Sequence, residues 1–154
     1  MIHDVIASRD MDYSFYVKCD CGKEILHFAY FGQTRSCPEI ISLKYYGPDN
    51  TWNGDSFNFT QTNLRKLSDH LKLSLSEHSY IFAISDGVSF LAVEKDALGF
   101  YLIRKRLHAR PNVDDWEICI RDFTLKSLIS ELDNMYSVIT EVREQKHLDQ
   151  LKSS

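Results

Sequence analysis

The chain has 154 residues, of which 44% are hydrophobic and 12% aromatic, and it carries a formal net charge of −4 with a pI of about 5.8. This length and composition are those of a single domain with a proper core, and they exclude a wholly disordered chain. The acidic charge argues against strong nonspecific binding to nucleic acid or to an anionic membrane. We see neither a signal peptide nor an apolar stretch long enough to span a bilayer, so we expect a cytoplasmic protein.

Hydrophobic periodicity predicts two halves, each with four strands and a helix. Residues 1–12 are an N-terminal extension that could add one more edge strand. The first half, residues 13–76, is predicted to have strands at 13–21, 24–31, 40–46 and 52–59 and a helix at 61–76. The second half, residues 79–148, is predicted to have strands at 79–85, 88–94, 100–107 and 116–122 and a helix from 125 to 148.

An internal sequence repeat supports the division into halves. The only two tryptophans each begin the phrase Trp, six residues, Phe-Thr, and Trp116 follows Trp52 by 64 residues (116 minus 52). At the same offset Leu64 matches Leu128. We therefore predict one α+β domain spanning residues 1–154. It consists of an antiparallel sheet from two tandem ββββα halves, related by a pseudo-twofold internal repeat, with two helices packed on the sheet.

The first hairpin is predicted to turn through a two-residue loop at Gly22-Lys23, which sets Cys19 opposite Leu26. In this register the apolar residues share one face, while Lys18 pairs with His27 on the other. Moving the loop one residue earlier sets Cys19 against Glu24, and we expect that change to scramble the two faces.

The second hairpin is predicted to turn at Asp86-Gly87. Both of its faces carry apolar residues, and the face away from Tyr80 has Ile81, Ala83, Phe90 and Ala92. We predict a central hairpin that is buried on both sides. The alternative is an outer face that meets a partner.

Both helices are predicted to begin at the duplicated Phe-Thr, with Thr60 or Thr62 and then Thr124 capping free amides and the preceding phenylalanine packing back. Each helix carries one apolar stripe that should face the core. The residues of the two stripes are Leu64, Leu67, Leu71 and Leu75, then Leu125, Leu128, Leu132, Met135, Ile139 and Val142. The second helix is longer than the first, so its tail could pair with another subunit in a homodimer.

Cys19-Asp20-Cys21-Gly22 is the most metal-like segment of the chain. A strand places Cys19 and Cys21 on one face, so both thiolates could bind a single zinc ion. Cys37 is the third predicted ligand, with His27 or Cys119 as further candidates. The alternative is that Cys19 is a small buried hydrophobic residue that continues the stripe of its strand.

No glycine-rich nucleotide-binding motif is present, and no nucleophile can be assigned together with a base and an orienting group. We therefore expect a binding protein and not an enzyme, with no cofactor apart from the zinc considered above. The first hypothesis is a protein–protein interaction module, such as an immunity protein, an inhibitor or a phage- or host-encoded regulator. Its predicted contact residues are exposed aromatic residues and loop acids: Tyr45, Tyr46, Trp52, Asp55, Asp114 and Asp115.

The second hypothesis is single-stranded nucleic-acid binding by stacking rings and cations on a shared sheet surface. Its predicted contact residues are Tyr45, Tyr46, Tyr101, Arg104, Lys105, Arg106 and Arg110. The order of four strands and a helix, repeated once, resembles that of the Whirly proteins, which bind single-stranded DNA. This resemblance covers most of the chain and rests on element order. The alternative is that Arg104 and Arg106 simply keep a solvent-facing strand soluble.

Overall fold

A computed structural model describes residues 3–5, 12–34, 37–107 and 115–153, and within these ranges it describes residues 3–5, 53–55, 107 and 153 by their backbone alone. The α+β class and the two ββββα halves are confirmed. The N-terminal extension contributes β1 (His3–Val5). The first half contains β2 (Tyr13–Lys18), β3 (Ile25–Phe31), β4 (Ile40–Tyr46), β5 (Trp52–Asn58) and α1 (Gln61–Ser74). The second half contains β6 (Tyr80–Ser85), β7 (Ser89–Lys95), β8 (Tyr101–Leu107), β9 (Trp116–Ile120) and α2 (Asp122–Ser153).

Each half forms its own antiparallel sheet, in which the strands lie side by side in chain order. The first sheet is β1-β2-β3-β4-β5 and the second is β6-β7-β8-β9. The extra edge strand predicted in the N-terminal extension is confirmed, because β1 pairs with β2 from His3 opposite Val17 to Val5 opposite Phe15.

The two helices pack against each other, and each also packs on the sheet of the other half. The helix α1 lies along β6, and the Ser74 hydroxyl near its end is 2.9 Å from the hydroxyl of Tyr101 in β8. The helix α2 lies along β2, where the Tyr13 hydroxyl donates to Glu131 at 2.7 Å. The halves therefore complete one another and share a single continuous core.

The predicted helix stripes are confirmed. All residues of the first stripe except Leu75, and all of the second except Val142, are buried, and these two pack against the core from partly buried positions. The cap at Thr60 is also confirmed, because its hydroxyl accepts a hydrogen bond from the Asn63 amide at 3.0 Å.

The predicted start of the second helix was wrong. The helix α2 begins at Asp122, and its first backbone bond runs from the Leu125 amide to the Arg121 carbonyl. Thr124 is therefore buried inside the first turn and does not cap it, and Phe123 is 60% exposed and does not pack back. An acid in the first turn suits the positive end of the helix dipole. At its other end α2 extends to Ser153, beyond the predicted residue 148.

The predicted register of the first hairpin was wrong by two residues. Val17 lies opposite Leu26, and the Cys19 amide bonds to the Glu24 carbonyl at 3.0 Å. The turn begins earlier than predicted because the Gly22 amide bonds back to the Cys19 carbonyl and Gly22 adopts a φ of 74°. Moving a two-residue loop by one residue shifts the register by two, so side chains keep their faces. The expected scrambling was therefore also wrong.

The register of the second hairpin is also shifted by two residues, but in the opposite direction, with Ser85 opposite Phe90 and not Val88. Its loop is Gly87-Val88, and Gly87 adopts a φ of 94°. The Asp86 carboxylate fixes this loop by accepting hydrogen bonds from the amides of Val88 (3.0 Å) and Ser89 (2.7 Å).

The prediction that this hairpin is buried on both sides was wrong. The strand β6 is an edge strand, and Ile81 on its outer face is 70% exposed. Phe90 on β7 is exposed on the same face. None of the helices in the described part of the chain combines the length and the apolarity that crossing a membrane requires.

Candidate functional site

A β-bulge in the first sheet positions the most exposed ring of the candidate site. Lys44 of β4 lies opposite Ser56 of β5, but two residues further along Tyr46 lies opposite Trp52. Residues 53–55 of β5 therefore oppose the single residue Tyr45. Two extra residues preserve the alternation of a strand, so Trp52 and Tyr46 share the outer face of the sheet, which is the side away from the core.

The rings and cation around this pair form what we call the aromatic face, which consists of Tyr16, His27, Lys44, Tyr46 and Trp52. The Tyr16 and His27 rings lie opposite each other on β2 and β3 and stack at 4.3 Å between centroids. The Lys44 ammonium lies 4.7 Å from the centroid of the Trp52 ring, in cation–π contact. The Trp52 side chain is 40% exposed, while Lys44 and Tyr46 are half-buried.

His27 is the buried member of the aromatic face. It is 8% exposed, and neither ring nitrogen has a hydrogen-bond partner among the described residues. Burial, with a smaller contribution from the charge of Lys44, lowers the pKa of His27 to about 4. The imidazole is therefore neutral at pH 7, and it does not repel the neighbouring ammonium group.

A shallow cleft of about 270 Å³ opens at one end of the aromatic face. It is lined by Tyr16, Lys18, Ile25, Tyr46 and Asn50. Asn50 adopts a φ of 63° in the tight turn that joins β4 to β5. The cleft is smaller than the usual pocket for a small-molecule ligand. It suits one inserted side chain or ring better than an enclosed substrate.

Larger clefts lie elsewhere in the described structure. One of about 590 Å³ surrounds the start of α2, and one of about 510 Å³ lies beside Gly32 and Val142. Among the described residues, neither cleft is lined by a tyrosine or a histidine. The aromatic face therefore carries the denser set of groups for recognition.

The structure brings together two of the predicted protein-contact residues, Tyr46 and Trp52. Tyr45 points to the opposite face of the sheet, where its ring stacks on Trp116 at 5.3 Å. Asp115 is half-buried next to Trp116. Two further predicted residues are not covered: Asp114 and the side chain of Asp55 lie outside the described residues.

The predicted nucleic-acid residues of β8 do not form one surface. Tyr101 and Lys105 are fully buried on the inner face of the second sheet. Arg104 and Arg106, which flank Lys105 along the strand, point to the outer face, as the alternation of a strand requires. The remaining predicted residue, Arg110, lies outside the described residues.

Arg104 is engaged by acids on the neighbouring strands. Its guanidinium lies 3.2 Å from the carboxylate of Glu94 on β7 and 3.6 Å from that of Glu117 on β9. The charge of Arg104 is therefore largely neutralised within the second sheet.

Of the predicted zinc ligands, the structure brings together Cys19 and Cys21, whose sulfurs are 2.8 Å apart in the first hairpin turn. The hydrogen bond with Cys19 is the main cause of a lowered pKa of the Cys21 thiol. Cys37 follows the far end of β3, and a seven-residue strand separates it from the turn by about 20 Å. Glu24, which sequence reasoning missed as a ligand, lies beside the two sulfurs.

Sequence reasoning also missed Tyr16 and His27 as members of the candidate site. The shifted hairpin register placed His27 opposite Lys18, whereas it lies opposite Tyr16. The glycine at position 22 was the available signal for the earlier turn. A search with models of known protein families and a search of curated proteins both found no match to this chain.

Proposed function

We propose that this chain is a non-enzymatic binding protein that contacts another protein through its aromatic face. The observation that carries the proposal is the exposed Trp52 ring, which contacts Lys44 and lies beside Tyr46 on the outer face of the first sheet. Tryptophan and tyrosine dominate the energetic centres of protein interfaces, because they bury a large area with little loss of side-chain entropy.

The charge of this face indicates the kind of partner. The protein is acidic overall, yet the charged side chains described on the aromatic face and its cleft are the ammonium groups of Lys18 and Lys44. Opposite charges around a contact speed association and select partners. A partner with an acidic rim and an apolar side chain for the cleft fits this arrangement. An immunity protein, an inhibitor or a phage- or host-encoded regulator would act in this way.

Single-stranded nucleic acid is the second candidate, and the same groups favour it. The rings of Tyr16, Tyr46 and Trp52 could stack on bases while the two lysines pair with phosphates. This candidate predicts an affinity that falls steeply with salt concentration, because bound counterions are released from the nucleic acid.

Co-purification from the native cells at low salt, with and without nuclease, tests both candidates. We expect a stoichiometric protein that survives nuclease treatment and is lost from Trp52→Ala. The matched control is Phe123→Ala, which removes another exposed aromatic ring far from this face and should retain the partner. Both variants should melt within about 4 °C of the wild-type protein, because we expect each substitution to cost less than about 1 kcal/mol.

The result that contradicts the proposal is equal recovery of the partner by Trp52→Ala and Phe123→Ala. Recovery of nucleic acid that disappears with nuclease, and that weakens with each added increment of salt, would favour the second candidate.

A further inference from the structure

The first hairpin turn gathers three groups that can bind a metal ion. The sulfurs of Cys19 and Cys21 and a carboxylate oxygen of Glu24 all lie within 4.8 Å of one another. Cys19 is buried, Glu24 is half-buried and Cys21 is exposed, so an ion here would be held by the protein on one side and open to solvent on the other.

A backbone amide holds the buried sulfur of this group in place. The Glu24 amide points to the Cys19 sulfur at 3.4 Å. This contact fixes one ligand of the group before any ion arrives, as the supporting hydrogen bonds of metal sites do.

A further contact orients the carboxylate. The Tyr45 hydroxyl donates to Oε2 of Glu24 at 2.5 Å, and the Tyr45 ring is itself fixed by stacking on the buried Trp116. Groups that hold a ligand in place in this way are a regular part of metal sites, because they remove the freedom the ligand would otherwise lose on binding.

We propose that Cys19, Cys21 and Glu24 bind one Zn²⁺ ion, with a water molecule in the fourth position. Two thiolates and one carboxylate suit zinc, whereas Mg²⁺ and Ca²⁺ prefer oxygen ligands alone. Two sulfurs bound at about 2.3 Å to a tetrahedral ion lie about 3.7 Å apart. The two sulfurs, which are 2.8 Å apart, must therefore separate by about 1 Å more to bind the ion. We expect rotation of the exposed Cys21 side chain to supply this increase while the buried Cys19 stays in place.

The ion would strengthen the junction between the two sheets. The turn that holds the ligands is attached to the second sheet by the Asp20 amide, which donates to the Cys119 carbonyl at 3.1 Å. The Asp20 carboxylate also lies 3.4 Å from the guanidinium of Arg121. Zinc binding should therefore raise the melting temperature of the protein, since the ion binds the folded state and fixes this turn.

Titration of the reduced, metal-free, full-length protein with Co²⁺ under anaerobic conditions tests this proposal. We expect one Co²⁺ per chain, with a sulfur-to-cobalt charge-transfer band that an equivalent of Zn²⁺ abolishes. The exposed Cys21 can be replaced without disturbing the core, and Cys21→Ser should lose the band and the zinc-dependent rise in melting temperature. Tyr45→Phe keeps the ring but frees Glu24, and it should weaken Co²⁺ binding by about 10- to 100-fold.

Cys37→Ser is the matched control and should bind Co²⁺ like the wild-type protein. The proposal is overturned if the wild-type protein shows no charge-transfer band, if the band survives Cys21→Ser, or if Cys37→Ser loses it. It is also overturned if oxidised glutathione links Cys19 to Cys21 while the reduced protein takes up no metal, which would assign the pair to thiol–disulfide exchange. Cys21→Ser should still retain the protein partner, so this proposal and the one for the aromatic face can fail separately.

Discussion

The two tryptophans begin equivalent strands of the two halves but occupy opposite environments. Trp116 begins β9 and is 5% exposed, with its ring stacked inward on Tyr45. Trp52 begins β5, is 40% exposed and lies on the outer face. The two tryptophans therefore occupy equivalent positions along the chain but lie on opposite faces of their sheets.

The reason is that the spacing between the last strand and the helix differs by one residue between the two halves. In the first half the buried Phe57 precedes the buried Leu64 by seven residues, whereas in the second half Ile120 precedes Leu128 by eight. The helix stripes match at the offset of 64, so the strands before them are out of phase by one residue. A shift of one residue turns every side chain of a strand to the opposite face. The repeated phrase therefore supplies one tryptophan to the core and one to a surface.

The largest effect that should separate the two halves is on stability. Trp116→Ala removes a buried ring and should lower the free energy of unfolding by about 3–5 kcal/mol. Trp52→Ala should lower it by less than about 1 kcal/mol, because solvent already contacts the ring. Urea denaturation of both variants measures the difference. Similar losses in the two variants would show that the tryptophans do not differ as described.

A smaller effect is expected from pH, through the outer face of the first sheet. Burial lowers the pKa of His27 from 6.5 to about 4, so only the unfolded chain takes up this proton between those values. The free energy of unfolding should therefore fall as the pH drops from about 6.5 to about 4, with a contribution from His27 of about 1–3 kcal/mol. The outer face described for the second sheet carries no histidine and should make no such contribution.

His27→Phe keeps the ring that stacks on Tyr16 and should remove this part of the pH dependence. The matched control is His78→Ala, an exposed histidine whose loss should leave the dependence unchanged. Urea denaturation at pH 7 and at pH 5 gives the comparison. The assignment to His27 fails if His27→Phe loses as much stability between these two pH values as the wild-type protein does.

The smallest effect is expected on the outer face of the second sheet. Arg104 pairs with Glu94 and Glu117, but these side chains are partly exposed to solvent. Arg104→Ala should therefore cost less than about 1 kcal/mol, and the difference should shrink further in 1 M salt. A loss of several kcal/mol that persists in high salt would contradict the view that these are solvent-screened surface ion pairs.

The fold was predictable because it depends on patterns that local sequence carries. Alternating apolar residues marked the strands, and the stripe through Leu64 and Leu71 marked the buried side of α1. The candidate site depends on features of another kind. A bulge sets Trp52 opposite Tyr46, and a turn at Gly22 sets His27 opposite Tyr16. Both are shifts of two residues, which keep every side chain on the same face. The pattern of apolar residues is therefore the same with or without the shift and cannot reveal it.

The exchange of helices between the two halves means that neither half is a self-sufficient folding unit. Residues 13–76 alone would lack α2 over their sheet, and residues 79–148 alone would lack α1. The arrangement is that of a domain-swapped dimer of ββββα units joined into one polypeptide. If the backbone were cut between α1 and β6, the two fragments should remain associated and melt together. The connection at residues 75–79 thus acts as a covalent tether that keeps complementary pieces at high local concentration.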